Sequence, residues 1–280
     1  MSQLFEEISI KSSGLSLYGK LYFVSKNNPT ILLLHGLGFH SFEYDELAPL
    51  LKEMGYNCLS FDFRCCGRSG GKRGYWTLAD YVVDAKNVVE YIAENVSDRI
   101  IIFGNSLGAT VAVSFAAQNN DELIKGIIAA NCATRPVDFG MNPFRKILLA
   151  IASVIFKIVP FRINVNYFIP YTKILSDKQI IKKITDDKSI TEARKFSIST
   201  YEDMFSWDMT KIVPKIKVPI LVLQGKDDGL QSTTQSTMLF EAANQPKELI
   251  LTETGHLPNL ENPEYLSNIL DNWSKKIFKQ

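Results

Sequence analysis

The chain has 280 residues, with 31 Lys+Arg against 30 Asp+Glu, 46% hydrophobic residues and 22% charged ones. These are the proportions of an ordinary folded domain, so pervasive disorder, collagen-like repeats and a disulfide scaffold are excluded. A net charge of +1 gives no long-range field to gather phosphates, which argues against nucleic acid as a partner.

In chain order, Ile8–Ile10 and Leu15–Tyr22 read as an antiparallel pair turning at Ser13-Gly14. Short apolar runs follow at Ile31–Leu34, Cys58–Phe63, Ile100–Phe103, Ile127–Ala130, Ile220–Leu223 and Leu249–Leu251. The runs are apolar throughout rather than alternating, as parallel strands covered on both faces are. Helical patterns separate them: Phe42–Met54 with Gly55 suited to the C-cap, Leu78–Val96, Leu107–Gln118, Ser232–Ala243 and Pro263–Phe278. The alternation predicts a doubly wound α/β sheet in a single domain spanning 1–280. It lapses from about Thr134 to Ile212, which reads as a segment inserted above the sheet.

Four irregularly spaced cysteines and three histidines, without a C-x-x-C pair, predict no zinc site. Met1–Glu7 lacks the basic start and apolar stretch of a secretory signal, so a reducing cytoplasm is expected. The greasiest stretch, Ile147–Pro160, contains Lys157 and falls short of the roughly 20 residues that span a bilayer.

Gly104-Asn105-Ser106-Leu107-Gly108 follows one apolar run and opens a helix. Such a strand-to-helix turn can lift a serine hydroxyl clear of the sheet, with glycines letting the two backbones approach. A helix N-terminus beneath it favours developing negative charge. A serine nucleophile needs a base. His256, on a loop after a late strand, is the candidate; His35 is placed to shape an early turn and His40 to sit on a surface loop. The base needs an acid to hold its tautomer. Asp228 is chosen, with Asp227 next and Asp138 a third option.

Together these elements resemble the α/β-hydrolase superfamily, with its chain order Ser, Asp, His. Asp62-Phe63-Arg64-Cys65-Cys66-Gly67-Arg68-Ser69 and Gly71-Lys72-Arg73-Gly74 are similar to the Asp-x-Arg-Gly-His-Gly-x-Ser and Gly-x-Arg-Gly loop of its monoacylglycerol lipase and lysophospholipase-like branch. Cys65-Cys66 replaces the usual Gly-His. Gly255–Pro263 resembles the closing motif. The resemblance implies Ser106 as nucleophile, Asp228 as acid and His256 as base. It implies backbone N–H groups of Leu37 and Leu107 as the oxyanion hole, and no metal or cofactor. The segment 134–212 would be the cap. Within it Ile147–Val159 is apolar nearly all round, which suits an acyl chain or a transient membrane-surface contact, with Arg145, Lys146, Lys157 and Arg162 flanking.

The expected function is a serine hydrolase of carboxylic esters, of monoacylglycerol or other lipid-like type, with a small-molecule acyl ester as its partner. The alternatives are a small-ester or C–C-bond hydrolase, a cofactor-free haloperoxidase-like enzyme, or a non-catalytic receptor on the same fold. Cys65 and Cys66 are read as structural, and Arg64 and Arg73 as braces of their loop.

Overall fold

A computed structural model describes residues 4–119, 121–135, 162–167, 169–175, 177–204 and 206–279. Its main sheet has eight strands in the order β1-β2-β4-β3-β5-β6-β9-β10. These are β1 (Glu6–Ser12), β2 (Leu15–Tyr22), β3 (Thr30–Leu34), β4 (Asn57–Phe61), β5 (Ile100–Asn105), β6 (Ile124–Ala130), β9 (Ile220–Gly225) and β10 (Lys247–Thr252). From β4 to β10 neighbouring strands are parallel. The first hairpin is antiparallel and adds to β4 at its edge. Every residue of β3 is buried, because helices cover both faces. Alternate side chains divide between two cores: Leu32, Leu34 and Ile102 face one side, and Ile31, Leu33, Ile101 and Phe103 the other.

The first core is covered by α2 (Leu78–Asn95) and α3 (Leu107–Gln118), the second by α1 (Leu47–Glu53) and α9 (Pro263–Phe278). Helix α2 starts in a capping box between Thr77 and Asp80 and buries Tyr81, Val82, Ala85, Val88, Val89 and Ile92 as one stripe. Helix α3 is buried on nearly all sides, which its Gly, Ala and Val content permits. The strand order turns at β3 and β5, so the crevice beyond their C-terminal ends is where such a sheet binds ligands.

Between β6 and β9 the described residues form a two-stranded antiparallel sheet, β7 (Arg162–Asn164) with β8 (Lys195–Ser197). Helices α4 (Lys178–Asp186), α5 (Lys188–Ala193) and α6 (Ile198–Met204) accompany it. The lapse of strand rhythm thus corresponds to short helices and a small accessory ribbon. Thr200 fixes the ribbon to the body by accepting from the Trp76 N–H and donating to the Trp76 carbonyl at 2.9 Å. The apolar stretch Ile147–Val159, its flanking Arg145, Lys146 and Lys157, and Asp138 lie outside the described residues. Arg162 is described, and its Nη1 donates to the Arg73 carbonyl at 3.3 Å. The chain completes with α7 (Thr233–Ala242) and α8 (Pro258–Glu261) before α9. No described helix is long and apolar enough to cross a membrane.

Candidate active site

Ser106 follows β5 and caps α3 with φ 54° and ψ −114°, a positive-φ conformation costly for a residue with a side chain. The turn is over-determined by its surroundings. The Ser106 N–H donates to the Ala130 carbonyl at 2.9 Å. A Cβ on Gly104 would meet the backbone of Gly108, and one on Gly108 would meet the Leu34 carbonyl. The two glycines therefore let strand and helix backbones close around the serine.

Asp228 follows β9, and its Oδ2 accepts from His256 Nδ1 at 2.8 Å. Its Oδ1 accepts from the Leu230 and Gln231 N–H groups, both at 2.8 Å, and Gln224 Nε2 donates to Oδ2 at 3.2 Å. Burial raises the Asp228 carboxyl, but the histidine bond and the donated N–H bonds outweigh it, leaving the group below its usual range. It is thus held ionised beside the imidazole. Asp227 is exposed. The bonds that close the turn after β9 are thus also made by Asp228.

His256 and Ser106 line one narrow cavity of about 60 Å³, with Leu37, Leu107, Ile169 and Trp207 among its other walls. His35 is fully buried: its Nδ1 donates to the Gly36 carbonyl at 2.9 Å and its Nε2 accepts from the Phe63 N–H at 3.0 Å. Burial pushes it down to about 4, so it is a neutral brace with both nitrogens occupied. His40 differs from the expected surface residue. Its Nε2 lies 3.1 Å from Ser189 Oγ and 3.3 Å from Asp187 Oδ2, tying the early loop to α5.

Leu107 is the first residue of α3, where an N–H has no partner within the helix. Leu37 stands in the turn after β3. That turn is held from below by Glu43, whose Oε2 accepts from the Gly36 N–H at 2.8 Å. Asn259 Nδ2 donates to the Glu43 Oε1 at 3.1 Å, joining the turn to the helix just after His256. From above, Arg194 Nη1 donates to the Leu37 carbonyl at 3.3 Å.

Sequence reasoning missed several of these supports. Asn131, at φ 48° after β6, donates from Nδ2 to the His256 carbonyl at 2.9 Å and accepts at Oδ1 from the Gly225 N–H at 2.9 Å. Asn105 Nδ2 donates to the same His256 carbonyl at 3.2 Å. A polar residue directly after an apolar strand was the available signal. Glu43 and Arg194 had none, since their partners are distant in sequence.

The loop after β4 matches its expected bracing. Arg64 is bidentate to buried Asp84, through Nε at 2.9 Å and Nη2 at 2.7 Å, and its Nη1 reaches Asp80 at 2.7 Å. Arg73 Nη2 donates to the Gly67 carbonyl. Burial pushes the Cys65 and Cys66 thiols up to about 11 and about 12, which keeps them protonated and unreactive. Among the described residues no cluster of His, Cys, Asp and Glu is arranged to hold a metal.

A parallel sheet with a glycine-flanked serine turn after β5 and a carboxylate–histidine pair from the ends of the last strands defines an α/β-hydrolase. The model of the serine aminopeptidase S33 family of hydrolases matches residues 25–256, and the chain belongs to that family. It is 24% identical over 255 residues to a monoglyceride lipase homolog of Monkeypox virus, covering 89% of each chain. It is 24% identical over 291 residues to a proline iminopeptidase of Saccharolobus solfataricus, covering 95% of this chain and 91% of the other. Among solved structures, a monoglyceride lipase of Saccharomyces cerevisiae superposes with a TM-score of 0.80 at 20% identity, covering 99% and 97%.

Proposed function

We propose that the protein is a serine hydrolase of carboxylic esters with lipid-like acyl groups. The observation that carries this is the 2.8 Å bond between Asp228 and His256 Nδ1, with His256 and the strained Ser106 on the wall of one apolar cavity. The Asp228 bond leaves His256 Nε2 as the nitrogen that takes the Ser106 proton. Ser106 attacks the acyl carbonyl while the N–H groups of Leu37 and Leu107 receive the developing oxyanion. Such donors, fixed before the charge forms, are each worth roughly 3–4 kcal/mol. His256 then protonates the departing alcohol and activates the water that frees the acyl group. No cofactor enters this sequence. The segment 134–212 acts as a cap that selects the acyl chain.

The family includes peptidases as well as lipases among this chain's relatives. An aminopeptidase must meet a free amine with negative charge, and no Asp or Glu stands among the described residues of the cavity wall. That favours an ester. A reducing cytoplasmic setting suits the four thiols, all free and buried.

The test is labelling by a fluorophosphonate, followed by turnover of esters from acetyl to dodecanoyl. The native protein is expected to label at Ser106 and to gain in kcat/KM with chain length, since each buried CH₂ contributes roughly 0.8 kcal/mol. Ser106→Ala and His256→Ala should each abolish turnover, and the double variant should lose little more. A folded protein that takes up no label would overturn the reading, and a flat chain-length profile would leave a small-ester hydrolase.

A further inference from the structure

Arg194, at the C-terminal end of α5, is the most deeply buried lysine or arginine among the described residues, with only 2% of its surface exposed. It lines the same cavity as Ser106 and His256. Its described hydrogen-bond partners are all neutral. Nε donates to Asn166 Oδ1 at 2.6 Å, Nη1 to the Leu37 carbonyl at 3.3 Å and Nη2 to the Ile169 carbonyl at 2.8 Å. Arginine carries five N–H donors, so one hydrogen on each terminal nitrogen is unclaimed among the described residues. Both carbonyls that hold those nitrogens belong to wall residues, which sets the guanidinium at the cavity surface.

Among the described residues the surroundings add no anion. The groups that act on the Arg194 charge are the hydroxyls of Tyr171 and Tyr201, and the guanidinium lies over the Tyr171 ring at 4.5 Å. The Tyr171 hydroxyl is itself buried and makes no well-formed hydrogen bond among the described residues, with the Asn166 amide its polar neighbour. A buried charge is ordinarily paired, because desolvation penalises it heavily otherwise. The other deeply set arginine, Arg64, obeys that rule with Asp84 and Asp80. Arg194 departs from it beside the nucleophile.

We propose that Arg194 binds a carboxylate of the substrate, so that the preferred ester carries one anionic end against this guanidinium and an apolar body along the remaining walls. This rests on the ester-hydrolase reading and narrows it. A carboxylate matches the planar guanidinium fork and supplies a countercharge that the described pocket residues do not. Ester chemistry does not say whether that carboxylate belongs to the acyl or the alcohol portion, so both are tested.

The full chain is assayed on two matched pairs. On the acyl side, 4-nitrophenyl hydrogen suberate is set against 4-nitrophenyl methyl suberate. On the alcohol side, 3-(butyryloxy)benzoate is set against its carboxamide. In one pair the anionic member should lead by tenfold or more in kcat/KM, chiefly through KM. Arg194→Met should bring that ratio to one or below, and Arg194→Lys should keep part of it. A purely structural arginine would instead depress both members equally. Calorimetry on Ser106→Ala with methyl hydrogen suberate and dimethyl suberate, and with 3-(butyryloxy)benzoate and its carboxamide, reads the same discrimination without turnover or any change at Arg194. An active enzyme indifferent to charge in both pairs overturns the carboxylate site. A protein that binds the carboxylate selectively but cleaves no ester upholds the site and faults the hydrolase reading instead.

Discussion

Asp228 serves two purposes with two oxygens. One holds His256 and the other closes the turn after β9 by accepting two N–H groups. Asp228→Asn keeps the size of the side chain but offers an amide where the imidazole N–H requires an acceptor. It should cost on the order of 10³–10⁴ in kcat, by analogy with other triad acids, while exposed Asp227→Asn should stay near the native rate. Steady-state kinetics on both variants checks this, and the reverse ranking would move the acid to Asp227. Cys65 is a second case in which the backbone decides. It adopts φ 66°, a conformation that glycine reaches without strain, and its Sγ donates to the Tyr75 carbonyl at 3.3 Å. Alanine retains the left-handed strain and loses the sulfur, whereas glycine releases the strain. Cys65→Gly should therefore be more stable than Cys65→Ala by about 1 kcal/mol in urea unfolding, the inverse of the usual order.

Among the elements, the turn after β3 depends most on its neighbours. Glu43 holds it from the short 3-10 turn Ser41–Tyr44, and Arg194 reaches it from the end of α5. Gly38 sits between them at φ 72°, and a Cβ there would run into the Cγ of Arg194. Gly38→Ala must either strain the backbone or push α5 away from the turn. A displacement near 1 Å of the proposed oxyanion donor can cost about 10²-fold. The expectation for Gly38→Ala is accordingly a kcat lowered about a hundredfold with Ser106 still accessible to a fluorophosphonate. Unchanged kcat would mean that the turn does not set the oxyanion geometry. The loop after β4 has a comparable support in the buried Arg64–Asp84 pair. Removing one member of such a pair typically costs 3–5 kcal/mol, because the other is left uncompensated.

At the scale of the molecule, Glu43 links the two halves of the site, with the turn after β3 on one side and Asn259 in α8 on the other. Burial pushes its carboxyl up from 4.5 to about 7, against the opposing effect of the bonds from Gly36 and Asn259. The sign follows directly. Between those two values the folded chain keeps a proton that the unfolded chain has released, so stability from this group is complete below pH 4.5 and falls until about pH 7. The loss is about 3 kcal/mol over that window. Glu43→Gln has no such proton. Urea unfolding from pH 4.5 to 7.5 should show the native protein losing ground relative to Glu43→Gln by about that amount, whereas parallel curves would mean that Glu43 titrates normally.

The strands, the helices that cover them and the chemistry-bearing residue types were legible in the chain because they rest on local patterns. Five buried residues in a row at β3, a capping box opening α2, and glycines flanking Ser106 each encode their geometry within a few positions. The inserted segment was legible only as an interruption: the helices α4 to α6 and the ribbon of β7 with β8 bury their apolar faces against the body and one another, so their periodicity is short and mixed. What only the tertiary structure decided is how separate segments converge. Asp228 rather than Asp227 faces His256 because of the course of the turn after β9, and two adjacent aspartates in sequence look alike until that turn is drawn. The Asn131 and Asn105 bonds to His256, the Glu43 link to Asn259 and the Arg194 bond to Leu37 join residues separated by 125 to 216 positions. A buried charge or amide is sited by the partners that compensate its desolvation, and those partners are adjacent only after the chain has folded.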